Sequence, residues 1–77
     1  MFKVYSTPTC PECVRLKKFL SDMGISFEEV NVFENKDAAD FIVKSTGMRR
    51  VPVFQSDDKM IVGFNQNEIE KMLNNRR

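Results

Sequence analysis

The sequence predicts an α/β domain in which helices cover both faces of one four-stranded mixed sheet. The predicted order is strand, helix, strand, helix, strand, strand, helix. Three observations predict it. Short apolar runs alternate with stretches whose apolar residues recur every three or four positions. Turn residues at Gly24, Gly47 and 56–59 separate these segments. A helix between the first two strands makes them parallel with a right-handed crossover, and the short 56–59 turn makes the last two antiparallel.

Each element follows from its residues. Residues 2–5 (FKVY) read as a strand, which STPTCP breaks. Cys13, Leu16, Phe19, Leu20 and Met23 then fall on one helical face, with Arg15, Lys18 and Asp22 opposite. Thr9 is the expected N-cap, Pro11 sits in the first turn where a missing N–H is harmless, and Gly24 is the C′ residue. Residues 25–33 (ISFEEVNVF) read as the second strand. Asn35 caps the second helix, Asp37 lies in its first turn, and Gly47 ends it. Its inner face is expected to be Ala38, Phe41, Ile42 and Ser45. A hairpin is expected from strands at 53–55 and 60–63 around Ser56-Asp57-Asp58-Lys59. Asn65 followed by Glu68 resembles a capping box, and Ile69, Met72 and Leu73 give the last helix its buried stripe. The tail from 74 to 77 is expected to fray. Phe19, Leu20 and Phe41 read as core.

With 77 residues, a single domain spanning 1–77 is expected. Hydrophobic residues make up 42% and charged residues 30%, the mix of an ordinary folded soluble protein. A net charge of +1 gives no pull toward nucleic acid. The apolar runs are too short to span a membrane, and MFKVYSTP lacks an apolar signal core, so a cytoplasmic location is expected. The chain is expected to be a monomer. Two cysteines and no histidine do not make a disulfide scaffold. A single close pair in a cytosolic chain points to redox chemistry or metal binding.

Cysteines three apart on a first helical turn lie on one side of it, roughly 5–6 Å apart, within the separation a disulfide tolerates. Closing so short a loop stabilises the fold little, so the spacing suits a reversible bond. The unpaired N–H groups and dipole at a helix start favour a thiolate. Cys10, nearer the end and more exposed, is the expected nucleophile, its pKa falling from about 8.5 into the range of roughly 3.5–7.5. Cys13, one turn in, is the expected buried resolving thiol. Glu12 opposes the thiolate, and Arg49, Arg50 and Lys17 are the cations that could offset it.

Other readings of the pair stand beside this one. One is a structural disulfide. Another is an interchain zinc clasp, since a zinc site needs four ligands and this chain supplies two thiols. A third is a soft-metal carrier for Cu(I) or Zn, which would also place CxxC between a strand and a helix but in a different element order. Iron–sulfur assembly would need a dimer or an added thiol. For Arg49 and Arg50 a solvated loop is the plain alternative.

With these residues in place, the chain resembles the glutaredoxin family of the thioredoxin fold from about Phe2 to Leu73. Its marks are Thr9-Cys10-Pro11-Glu12-Cys13, Val51-Pro52 and Val62-Gly63-Phe64. The resemblance implies dithiol–disulfide oxidoreductase activity, electron transport and cell redox homeostasis. It implies a cis Pro52 facing the cysteines and a Val51 backbone that pairs with an extended substrate segment. The substrate groove it implies contains Thr9, Pro11, Glu12, Arg50, Val51, Pro52, Gly63 and Phe64, with no bound cofactor and no metal. The chain departs from glutathione-using members. Glu12 replaces their tyrosine, Thr7 stands where a basic residue is common, and Arg50-Val51-Pro52 replaces Thr-Val-Pro. Gly63-Phe64 is closer to the small glutaredoxin-like redoxins, including those that serve ribonucleotide reductase and draw electrons from thioredoxin reductase. Those commonly carry Gln where Glu12 stands. The expected partners are a disulfide-bearing protein and thioredoxin reductase, with glutathione as cosubstrate the alternative.

Overall fold

The computed structural model describes residues 2–57 and 59–74. The elements run β1 (Phe2–Ser6), α1 (Pro11–Asp22), β2 (Phe27–Asn31), α2 (Lys36–Thr46), β3 (Val53–Gln55), β4 (Met60–Val62) and α3 (Gln66–Asn74). This is the predicted order, in one four-stranded sheet arranged β2-β1-β3-β4. β1 and β2 are parallel with Val4 opposite Glu29, while β1–β3 and β3–β4 are antiparallel.

The boundaries differ in instructive ways. β2 is shorter than the expected 25–33 because both its ends are taken by turns. Ile25 donates its N–H to Leu20 O at 2.9 Å, and Gly24 donates to Ser21 O at 3.0 Å with φ +72. That pair of bonds closes α1 in a Schellman motif, which fixes Gly24 as the left-handed C′ residue. At the other end, Asn31 Oδ1 accepts the Phe33 N–H at 2.9 Å and bends the chain out of the sheet. β1 runs one residue further than expected, to Ser6, and β4 stops one residue early, at Val62, because Gly63 turns with φ +81.

α2 is capped as expected: Asn35 Oδ1 accepts the Ala38 N–H at 3.1 Å, and Gly47 closes the helix at φ +75. At α3, Asn65 Oδ1 accepts the Glu68 N–H at 3.2 Å, the cap half of the expected box. The hairpin turn is pinned by Ser56 N–H to Lys59 O at 2.9 Å. Of the tail expected to fray, Asn74 still belongs to α3; the rest, like Asp58 in the turn, lies outside the described residues.

Alternation along β1 divides the core. Phe2 and Val4 join Leu16, Leu20, Phe54, Ile69 and Met72 on the side covered by α1 and α3. Tyr5 joins Val53 and Ile42 on the side covered by α2. Each fully buried leucine here contributes about 1.5–3 kcal/mol of hydrophobic stabilisation. Leu20 and the half-buried Phe19 are core as read. Phe41 is not: it is 41% exposed, touching Tyr5 ring to ring at 6.1 Å. The inner face of α2 is centred on Ile42, with Ala38, Ala39, Val43 and Thr46 partly buried, while Ser45 faces out. The helix is thus rotated by about one position from the predicted stripe.

Candidate active site

β1 carries the chain into the site and α1 carries it out. Ser6 ends the strand, residues 7–10 form the loop, and Pro11 is the first helical residue. The N-cap is Cys10, not Thr9. Its backbone is extended (φ −98, ψ 109), and its Sγ accepts the Cys13 N–H at 3.1 Å. Its carbonyl accepts the Val14 N–H at 3.3 Å, the first bond of the helix. The physical reason lies in the next residue. Proline is favoured at N1, where its φ is already helical and no N–H is needed, and a proline at N1 makes the preceding residue the cap. The motif therefore places a sulfur where helices usually place a hydroxyl or carboxyl oxygen.

Cys10 and Cys13 are paired as a disulfide with Cα atoms 5.2 Å apart. Cys13 is fully buried, whereas Cys10 is half-buried. Pro11 and Thr9 are exposed beside them, with Glu12 exposed in the first turn.

The cations sort themselves by position. Lys17 is engaged by an acid. Its Nζ bonds Glu29 Oε2 at 2.6 Å, across to β2. Arg50 shares an open groove of about 580 Å³ with Glu12, Gly63 and Phe64, next to the start of α3. Its guanidinium lies 3.9 Å from where a Cβ on Gly63 would stand. Arg49 lies elsewhere, in a second groove with Thr7, Lys36, Asp40 and Val51, which Arg50 also borders. Only Arg50 of the two therefore reaches the groove that Glu12 lines.

The Val51–Pro52 peptide is cis, as the resemblance implied, and Pro52 is buried. Pro52 O accepts the Gly63 N–H at 2.7 Å, so the two loops at this end of the sheet are joined backbone to backbone. Phe64 is partly buried against Phe19, ring centroids 5.8 Å apart, and ties the groove to the core. Glu12, Arg50, Gly63 and Phe64 are thus brought together, with Val51 on the adjoining groove. Thr9 and Pro11 border neither.

Sequence reasoning missed a polar clasp behind the helix. Ser6, only 1% exposed, donates from Oγ to Glu29 Oε2 at 3.0 Å, the same oxygen that Lys17 holds. The Lys17 bond lowers the Glu29 pKa and Ser6 adds to it, while partial burial opposes both. The signal was parity: Val4, Ser6 and Glu29 share a face once the parallel register is known, and no local pattern supplies that register. On the opposite face, Tyr5 donates to Gln55 Oε1 at 2.6 Å, and burial, with the charge of Glu28, raises its pKa.

The glutaredoxin family profile matches residues 2–61. The chain belongs to the glutaredoxin family. A glutaredoxin-like 8.6 kDa protein of the rubredoxin operon of Clostridium pasteurianum is 40% identical over 73 residues, covering 95% of this chain and 97% of the relative. The glutaredoxin-like protein NrdH of Lactococcus lactis is 35% identical over 72 residues, covering 94% and 99%. The solved NrdH-redoxin of Escherichia coli superposes with a TM-score of 0.83 at 27% identity, covering 92% of each chain. Like its relatives, this glutaredoxin has the thioredoxin-like fold and is a thiol–disulfide oxidoreductase. Its family acts on disulfide substrates together with a reductase. No helix among the described residues is long and apolar enough to cross a membrane.

Proposed function

We propose that this glutaredoxin is a dithiol redoxin of the cytoplasm, working as one monomeric domain over residues 1–77 and recharged by thioredoxin reductase rather than by glutathione. The observation that carries the chemistry is the Cys10 cap: Sγ accepts the Cys13 N–H at 3.1 Å while Cys13 itself is fully buried. In the dithiol form, the Cys10 thiolate is held by that N–H and the helix dipole. It attacks one sulfur of a substrate disulfide, forming a mixed disulfide and expelling the other sulfur as a thiolate, which takes up a proton. Cys13 loses its proton to solvent and attacks the Cys10 sulfur. The second substrate thiolate leaves, and the Cys10–Cys13 bond closes. The second substrate thiolate also takes up a proton. Two electrons pass to the substrate; the reductase returns two electrons, and one proton restores the Cys13 thiol beside the Cys10 thiolate.

The substrate segment lies along Val51 and Pro52, with Thr9, Pro11, Glu12, Arg50, Gly63 and Phe64 around it. The reaction needs no bound cofactor or metal; glutathione would enter at most as a cosubstrate. The donor assignment is supported by relatives named NrdH and by the E. coli NrdH-redoxin, a glutaredoxin-like protein with a thioredoxin-like activity profile. It is supported also by the residues: Glu12 and Arg50 border the groove where glutathione-using members place a tyrosine and a threonine.

Two measurements test this. Oxidised protein is offered NADPH with thioredoxin reductase, or NADPH with glutathione and glutathione reductase. Turnover with the first system alone is expected, and turnover with the second alone overturns the donor assignment. Cys13→Ser should trap substrate on Cys10. Trapping through Cys13 in Cys10→Ser would reverse the two roles.

A further inference from the structure

Lys17 follows Cys13 by four residues on α1, so both stand on the same helical face, one turn apart. A free ammonium there would pull on the thiols. The chain instead draws it to β2, where Glu29 Oε2 bonds it at 2.6 Å and also accepts from Ser6 Oγ at 3.0 Å. Ser6 is buried and ends β1; its carbonyl accepts the Val32 N–H at 2.9 Å, which fixes it to the loop that follows β2. The carboxylate is therefore anchored by the strand that leads to Cys10 and aimed at the helix that carries Cys13. An ordinary surface ion pair has one flexible partner on each side; this one has a buried hydroxyl setting the position of the acid.

We propose that Glu29 is a positioning residue that masks Lys17, so that the helix start and not a lysine sets the charge on the cysteine pair. The inference rests on the dithiol reading above. It gives the clasp a role beyond tethering: it keeps the thiols from being over-stabilised as thiolates, which would weaken the protein as a reductant. Glu12 on α1 and Arg50, which lines the same groove as Glu12, are left unchanged in every comparison below. α3 opens with neutral Gln66 and Asn67 before Glu68.

The test is a thiolate absorbance titration of the reduced protein, followed through both thiol steps. A single unmasked charge one turn away, partly screened by solvent, moves the midpoint by about 0.3–0.5 unit. Glu29→Gln should lower the midpoint by that amount, raising the thiolate fraction below it about two- to threefold. Lys17→Met should raise it, because Glu29 is then the unmasked charge. The double variant should return to within about 0.2 unit of the wild type, and Lys17→Arg should match it. A clasp that only holds the fold together predicts otherwise: both single variants shift the midpoint the same way, and the double shifts it no further than either single. That outcome, or singles that leave the midpoint unmoved while wild-type protein cycles normally, overturns the inference. A wild-type pair that does not cycle between dithiol and disulfide overturns the reading beneath it, and is seen without any variant.

Discussion

On the face covered by α1 and α3, seven buried side chains from Phe2 to Met72 close into one cluster; on the face covered by α2, the buried set is Tyr5, Ile42 and Val53. Two helices seal one side, and one helix only partly covers the other. Phe41 stays 41% exposed on α2, and Phe33, in the turn before it, is 80% exposed. The groove containing Thr7, Arg49 and Val51 also opens on that side. The difference teaches where rigidity is needed. α1 must hold the Cys10 sulfur against its own N–H groups, and it is fixed to the sheet by Leu16 and Leu20. The α2 side has no such demand and is left open along its surface.

The contrast is broken most directly by truncating one ring on each face. Phe54 is fully buried and stacked on Phe2 at 5.2 Å, so Phe54→Ala should cost about 3–5 kcal/mol in urea unfolding. Phe41→Ala should cost less than about 1 kcal/mol, since its ring is already partly in water. Comparable losses would mean that α2 seals its face as tightly as α1 and α3 do.

A finer comparison comes from pH, because each face carries one shifted group of opposite sense. Glu29 has a lowered folded-state pKa, so its stabilisation is present above the ordinary glutamate pKa and is lost as acid titrates it down through the folded value. Tyr5 has a raised pKa, so its contribution holds below the ordinary tyrosine pKa and disappears as pH rises through the folded value. Glu29→Gln should therefore flatten the acid limb of stability against pH, and Tyr5→Phe the alkaline limb. Each variant leaving its own limb unchanged would remove that group from the account. The smallest effect is at the site: Glu12→Gln should lower the Cys10 titration midpoint by roughly 0.3 unit, by removing a like charge beside the thiolate. No fall in the thiolate absorbance titration would separate Glu12 from the pair.

The element order was legible because strand and helix periods differ and because Gly24, Gly47 and Asn35 act locally. The cysteine motif was legible for the same reason: spacing on a helix start needs no tertiary information. What could not be read was whatever depends on which way an element faces. Phe41 and Ile42 are adjacent and both apolar, and only packing on Tyr5 and Val53 decides that Ile42 goes in. Lys17 looked available to the cysteines because Glu29 lies twelve residues away on a strand whose register is set across the sheet. The Cys10 cap was readable from Pro11 but was overridden by the ordinary preference for threonine at Thr9.

On the proposed mechanism, the atom that reacts is also the fastener of its own helix. Serine is a strong N-cap, so the Cys10→Ser protein should keep its first turn while losing its chemistry, which separates a dead enzyme from a misfolded one. On that mechanism the fastening would change at every turnover, since the sulfur that grips the Cys13 amide is an anion before attack and a neutral bridge after it. Hydrogen exchange at that one amide should therefore slow and quicken with the redox cycle.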